Sequence, residues 1–449
     1  MTADRARRRA VVGAGAATLL GAAGVPGVLA QGQSQPQGQP QSQSQASQPA
    51  LPAGEPIRLA MIEGFSGAFA NAGDSVWRNV LFAVERINRR GGARVGGRAR
   101  PLQLERFDSK GQAEEALVML RRVTDQRIPF VLQGNSSAVA AALLEAINRH
   151  NEREPGGRLL FMNYSAGDPA LTNERCSFWH FRFDAHAEMR MSALTDAMAG
   201  NRNLRRVYLL NQDYSFGRQV AGLARRMITD KRPDIQIVGD ELHPLGRIKD
   251  FVPYAAKMKA AGADTVVTAN WGNDLTLLVR AAREVGLTAD FYTFYANGLG
   301  APAAIGEAGV DRVRAVAEWH PNAGLAAGER VYAEFRAQLK DPRDDYFNMR
   351  HVLMLEMLTA AIEAAGGTDA VAVARALEGR TQRDSPYTAT MRAEDHQLLT
   401  PMYVSVMQRA GPGTPLRHDL EGSGFGFRTE RFVELQQSAL PHACRMERA

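Results

Sequence analysis

The sequence predicts an α/β protein of two doubly wound lobes with a cleft between them, and three observations carry that expectation. Residues 57–62 alternate Ile57, Leu59 and Met61 as a strand does. They lead through a Gly/Ser loop into Val76, Val80, Leu81, Val84 and Ile87 at helical spacing, which Gly91-Gly92 stops. Strand–loop–helix units of this kind recur in two series of similar size, the pattern of parallel sheets covered on both faces. After residues 313–319 the pattern changes to helices and then short strands, as in a chain that returns to its first lobe and crosses again.

In the first series, strands are expected at 102–107, 128–132 and 159–163, and helices at 112–125 and from Ser137 to about His150. Loops 133–137 and 164–169 follow two of these strands. The second series runs strand 206–210, helix 216–229, strand 235–238, helix 250–261, strand 265–269, helix 273–284 and strand 291–294. The late block gives helices 328–339, 345–365 and 370–378 and strands 387–391 and 402–408. A small-residue loop between a strand and a helix leaves backbone N–H groups free to hold an anion, and open sheets of this class bind at their strand ends.

The ends of the chain are read differently. Arg5, Arg7, Arg8 and Arg9 precede an uncharged apolar run, and Val28-Leu29-Ala30 offers a cleavage site, so residues 1–30 form a signal peptide. The adjacent arginines resemble a twin-arginine export signal; an ordinary secretory signal and an uncleaved anchor are the alternatives. Residues 31–56 are almost all Gln, Ser, Pro, Gly and Ala, too poor in apolar side chains to repay the entropy of ordering, so they read as a disordered leader. The formal net charge of +6 falls to about +3 without the first thirty residues. Its basic groups are interspersed with acids, which leaves no footprint for nucleic acid. Two cysteines, Cys176 and Cys444, in an exported chain favour a bridge over two free thiols.

Catalytic and cofactor signatures are absent where they would be visible. Gly64-Phe65-Ser66-Gly67 lacks the glycine spacing of a nucleophile elbow. No loop ends in Gly-Lys-Ser/Thr, and Gly13-Ala14-Gly15 lies in the signal peptide. His180, His186, His243, His320, His351 and His396 show no metal-ligand spacing, and Asp184 and Glu188 beside His186 read as strand-end and surface-helix residues. No metal or cofactor is expected.

Several segments, in order and spacing, look familiar: Gly64-Phe65-Ser66-Gly67, Ile87-Asn88-Arg89-Arg90-Gly91-Gly92, Asn135-Ser136-Ser137, Asp168-Pro169-Ala170-Leu171-Thr172, Asp213-Tyr214-Ser215-Phe216-Gly217 and Ala281-Ala282-Arg283-Glu284-Val285-Gly286-Leu287. Together they resemble the periplasmic solute-binding receptors of ABC transporters, in the leucine/isoleucine/valine-binding family. The resemblance covers nearly all of residues 56–426. It implies a type I periplasmic binding fold, two α/β lobes joined by three crossing strands and closing on a small ligand. The crossings would lie near 179–182, near 314–319 and after Tyr387. Lobe 1 would then be 57–179 plus 315–392, lobe 2 would be 180–314 plus 393–430, and 431–449 a C-terminal tail. The implied partners are a small-molecule ligand and inner-membrane permease subunits, with the receptor a soluble periplasmic monomer. A sensor subunit docking on a membrane receptor shares the fold and site and is the alternative. A periplasmic hydrolase would need a nucleophile with an adjacent base, and none is evident.

The resemblance also implies a ligand set. Asn135, Ser136 and Ser137, at a helix start, would hold a carboxylate, unless Ser136 only caps the helix. Ser165 and Ala166 would add donors, whereas Gly167 stands where the family often has Thr. Tyr214 and Trp271 would face the ligand from the second lobe, with Ser66, Tyr164 and Asn270 completing the lining. The acidic residue that receives an ammonium in amino-acid-binding relatives is here Tyr295, followed by Ala296 and Asn297. A phenol or amide does not offset the desolvation of an ammonium. Asp213 is a substitute for that acid or a helix cap, and Arg182 a partner for a second acidic group or a solvated strand charge. The set favours an aromatic or other organic acid, with branched-chain amino acids kept open.

Overall fold

The computed structural model describes residues 54–383 and 386–449. The predicted signal peptide and most of the predicted leader lie outside the described residues. The first series builds β1 (Ile57–Glu63), α1 (Ala70–Arg89), the hairpin β2 (Ala93–Val95) and β3 (Arg98–Arg100), and β4 (Leu102–Asp108). It continues through α2 (Ala113–Asp125), β5 (Phe130–Gln133), α3 (Ser137–Arg153), β6 (Leu160–Asn163) and β7 (His180–Arg182). β4, β1, β5, β6 and β7 form a parallel sheet in that order. β1 is buried at every position but Arg58, because helices cover both faces of a parallel sheet.

The second series runs α4 (Ala187–Gly200), β8 (Arg206–Gln212), α5 (Ser215–Lys231), β9 (Gln236–His243), α6 (Val252–Ala260) and β10 (Thr265–Thr268). α7 (Asn273–Glu284), β11 (Asp290–Thr293), α8 (Ala301–Ile305) and β12 (Val313–Ala317) follow. The rest of the chain is α9 (Ala326–Arg336), α10 (Met349–Ala365), α11 (Ala370–Leu377), β13 (Thr381–Gln382), β14 (Ala389–Met391), β15 (Leu398–Leu399), β16 (Met402–Arg409), β17 (Phe425–Val433) and α12 (Leu435–Ser438). The second sheet has the order β17-β16-β12-β11-β10-β8-β9, parallel from β12 to β9 with β16 and β17 antiparallel at one edge.

Each sheet has its own core. Val352, Leu353 and Leu358 of α10 and Val373 of α11 pack with Leu59, Phe130 and Leu160 of the first sheet, so the late helices do return to it. α10 is apolar nearly all round and correspondingly buried. The chain passes between the sheets three times, after β7, after β12 and before β16. Residues 425–433, where the sequence suggests no strand and the expected tail begins at 431, form β17, whose Phe427 and Val433 pack into two separate buried clusters of the second sheet.

The tail that follows is fastened to the first sheet's side. Cys176 and Cys444 are bridged, with their Cα atoms 5.6 Å apart. Ala443 N donates to Asn173 Oδ1 at 3.0 Å, Arg448 Nη2 to the Ala393 carbonyl at 2.7 Å, and Arg375 Nη2 to the Ala449 carbonyl at 2.7 Å. Met446 packs on the first core. The bridge spans a sequence separation of 268, so it restricts the unfolded chain strongly. Cys444→Ser should lower unfolding free energy by about 2–5 kcal/mol in urea titrations without reductant, and dithiothreitol should add nothing further to the variant.

Candidate functional site

Loops at the C-terminal ends of both sheets converge on one cavity of about 50 Å³. A single water needs roughly 10–15 Å³ by this measure, so the space suits a small molecule. From the first sheet's side come Ala72, Val76, Gly134, Asn135, Ser137, Ser165, Ala166 and Gly167. Tyr214, Phe216, Trp271, Tyr295 and Leu299 face them, and Tyr346, Asn348 and Arg350 close the third side.

The backbone N–H groups after β5 do not point into this space. Gly134 N and Asn135 N both donate to Glu63 Oε1 at 2.8 Å, Gly64 N donates to Glu63 Oε2 at 3.2 Å, and the Tyr164 hydroxyl also donates to Oε1. Glu63, at the end of β1, is 2% exposed. Burial pushes its carboxyl pKa up, and these four donors pull the other way without restoring the usual value. Gly134 must be glycine here, since a Cβ would lie 2.4 Å from the Tyr164 ring. An internal carboxylate thus fills the anion cradle that the loop would otherwise offer.

Other donors remain. Ser136 Oγ caps α3 by accepting from Val139 N at 3.4 Å, and the first-turn N–H of Ser137 has no acceptor among the described residues. Ser137 Oγ accepts from Asp168 N at 3.2 Å, which leaves its proton available. The N–H of Gly167 is likewise without an acceptor among the described residues, and Asn135 Nδ2 is buried without a partner. Helix dipole and free N–H groups act together at such a start.

Arg350 supplies the charge. Its Nε donates to the Tyr164 carbonyl at 2.8 Å, Nη1 to Glu318 at 3.2 and 3.3 Å, and Nη2 to Ser165 Oγ at 3.3 Å. Asp184 Oδ2 lies 3.5 Å from Nε, and Asp184 Oδ1 also pairs with Arg190. Burial alone would lower the Arg350 pKa; Asp184 and Glu318 more than reverse this and keep it charged. Arg190 also donates to the Ala185 carbonyl and to that of Val316, and lies 5.6 Å from the Tyr295 ring. Burial pushes the Tyr295 phenol up to about 12, so it is neutral at physiological pH.

On the opposite wall Trp271 Nε1 donates to Tyr214 Oη at 2.9 Å, and the indole stacks on Phe69, with centroids 4.7 Å apart. Phe69 precedes α1, so this stack joins the two sides of the cavity. Asn71 Nδ2 adds a bond to Asn273 Oδ1 at 3.2 Å.

A sequence model described as periplasmic binding protein matches residues 56–412. The chain belongs to this family. It is 30% identical to Leu/Ile/Val-binding protein homolog 4 of Brucella abortus, over 88% of this chain and 93% of that one. Its structure resembles the closed conformation of the leucine-, isoleucine-, valine-, threonine- and alanine-binding protein of Brucella ovis, with a TM-score of 0.76 and 27% identity, covering 88% of this chain and all of that chain. A solute-binding protein of an ABC transporter from R. palustris, in complex with benzoate, has the same fold, with a TM-score of 0.70 at 16% identity, covering 87% of this chain and 99% of that one. The periplasmic binding protein family consists of solute-binding receptors, not enzymes, and two α/β lobes with a cleft are its fold.

Within this receptor the cavity gathers Asn135, Ser137, Ser165, Ala166, Tyr214, Trp271 and Tyr295 from the residues expected to meet ligand. Ser136 caps its helix and does not line the cavity. Tyr164 lies behind the wall, bound to Glu63, and the Ser66 hydroxyl bonds Asp108. Arg182 is fully buried away from the cavity. It donates to Gln397 Oε1 at 2.7 Å, to the Asp168 carbonyl at 2.6 Å and to Thr172 Oγ1, so it serves the link between the sheets rather than a ligand acid. Asp213 pairs on the surface with Arg218 at 2.8 Å, Asn270 bonds His243 at 2.8 Å, and half-buried Asn297 stands outside the lining. Glu63, Tyr346 and Arg350 were not expected. Of these, Arg350 had a signal, a charge in the first turn of a helix that is apolar nearly all round.

Two outcomes follow for stability. Glu63→Ala strands three N–H groups and the Tyr164 hydroxyl and should cost about 3 kcal/mol or more in urea unfolding; Glu63→Gln, which keeps an acceptor oxygen, should cost roughly half that. The second concerns Glu421, whose carboxylate accepts from Gly300 N at 2.9 and 3.1 Å and so fixes the loop bearing Leu299. Burial pushes its pKa up to about 7, against the Gly300 and Leu299 N–H bonds and with nearby Asp345 adding to the rise. The folded chain therefore holds a proton there that the unfolded chain has released between about pH 4.5 and 7. Unfolding free energy should fall as pH rises through that window, by about 3 kcal/mol from this group. In Glu421→Gln that part of the slope should vanish.

Proposed function

We infer that this chain is an extracytoplasmic receptor that captures a small carboxylate by lobe closure and delivers it to an ABC permease. An aromatic or other organic acid without an ammonium group is the preferred ligand. One observation carries the preference: among the described residues no aspartate or glutamate lines the cavity, while Ser137, Ser165, Gly167, Asn135 and Arg350 all present donors. An ammonium brought into that space would lose its hydration without a charged acceptor, whereas a carboxylate would gain charge-assisted bonds. Tyr214, Trp271 and Tyr295 give the cavity an aromatic character suited to a flat acid.

Capture couples to closure because the lining comes from both sides. A ligand held on the Ser137–Ser165 wall and touching Tyr214 favours the closed arrangement by its differential contacts with it. The Brucella relatives carry branched-chain amino acid names and the R. palustris protein holds benzoate, so the two ligand classes set the comparison to make. Protein stripped of ligand by unfolding and refolding is screened by thermal shift against leucine, isoleucine, valine, benzoate, 4-hydroxybenzoate and aliphatic carboxylates. A ligand at a hundred times its Kd stabilises by about 2.7 kcal/mol, and carboxylates lacking an amino group should produce that shift. Stabilisation confined to leucine, isoleucine and valine would overturn the organic-acid preference.

A further inference from the structure

Hydrogen-bond direction on the second-lobe wall restricts the ligand further than charge does. An indole N–H can only donate. With Trp271 Nε1 donating to it at 2.9 Å, the Tyr214 phenol oxygen already accepts one hydrogen bond. The phenol has one proton left, and no acceptor for it exists among the described residues, although the ring lines the cavity. Burial holds the phenol pKa well above its usual value, so that proton stays on. Tyr214 therefore meets a ligand as a donor and not as an acceptor.

The direction is fixed from across the cleft. The Trp271 ring is stacked on Phe69 at 29° between planes, and its own carbonyl accepts from Gln212 Nε2 at 3.3 Å. Gln212 Nε2 in turn donates to Asp274 Oδ2 at 2.8 Å. Phe69 belongs to the segment leading into α1, so the indole takes this orientation when the two walls meet.

We propose that Phe69, Trp271 and Tyr214 form a selectivity relay that sets Tyr214 as an obligate donor, so that the receptor selects carboxylates whose nearest polar substituent is an acceptor, such as 2-oxo acids, over 2-amino acids. This rests on the reading that a carboxylate occupies this cavity. A 2-oxo group accepts the Tyr214 proton. An ammonium in the same place sets donor against donor, in a cavity that no carboxylate of the described residues lines.

Three probes with one carbon skeleton test the relay by calorimetric titration of the full chain: 4-methyl-2-oxopentanoate, leucine and 4-methylpentanoate. Wild type should bind the oxo acid about tenfold or more tighter than leucine. Trp271→Phe keeps a ring on Phe69 and frees the Tyr214 lone pair, so the leucine-to-oxo-acid Kd ratio should fall by about fivefold or more. Tyr214→Phe should erase the preference for the oxo acid over 4-methylpentanoate. Leucine binding as tightly as the oxo acid to wild type, or a ratio that Trp271→Phe does not move, would overturn the proposal. If none of the three probes binds, the carboxylate reading fails for this skeleton and the relay is judged without ligand. The Trp271 indole N–H signal, one of four and assigned by Trp271→Phe, should shift upfield and exchange faster in Tyr214→Phe; an unmoved signal would overturn the relay.

Discussion

Arg350 carries a full positive charge inside the molecule, and the cleft is organised around keeping it there. Its guanidinium reaches the Tyr164 carbonyl and Ser165 after β6, Glu318 after β12 and Asp184 after β7. Asp184 passes the connection to Arg190 on α4. Two of the three chain crossings and both walls of the cavity thus meet in a set of two arginines and two acids. Desolvating four charges is expensive, and such a set rarely adds net stability over an apolar core. Removing one member, however, leaves an uncompensated buried charge, at a cost of about 3–5 kcal/mol. That asymmetry is a reason for the crossings to hold one geometry.

Glu63 plays a complementary part on the first-sheet side. By accepting from Gly134 and Asn135 it removes from the cleft two donors that the strand–loop–helix pattern would supply. The donors that stay free, on Ser137, Gly167 and Ser165, lie one turn further along and one strand over. The free donors are therefore displaced toward Arg350. What the cavity offers is a surplus of donors on both walls.

The architecture was legible because it is local. β1, α1, α3 and the βα units of the second series follow from period and punctuation, and the segments around Asn135 and Tyr214 lie in loops that line the cavity. The site's wiring was not legible, because it is long-range. Glu63 meets Tyr164 101 positions away and Gly134 71 positions away, and a glutamate at the end of a strand looks like any loop acid. Arg182 illustrates the converse: a strand arginine that read as solvated or ligand-facing is consumed by backbone carbonyls and Gln397. β17 was missed since Arg428, Glu430 and Arg431 interrupt its apolar positions, as suits the exposed face of an edge strand.

The fastened tail has a mechanical consequence. Glu55, near the start of the described chain, shares a surface hollow with Asp369 and Ala370 at the start of α11, and the final carbonyl is held by Arg375 on that same helix. Residue 55 and the last residue, Ala449, therefore both sit on the first lobe, with the second lobe looped between them. A fluorophore pair or a pulling handle attached at residue 55 and on the C-terminal tail would have both ends on that lobe and would not report movement of the other. A probe of closure has to carry one label on the second lobe, for instance along α6 or α7.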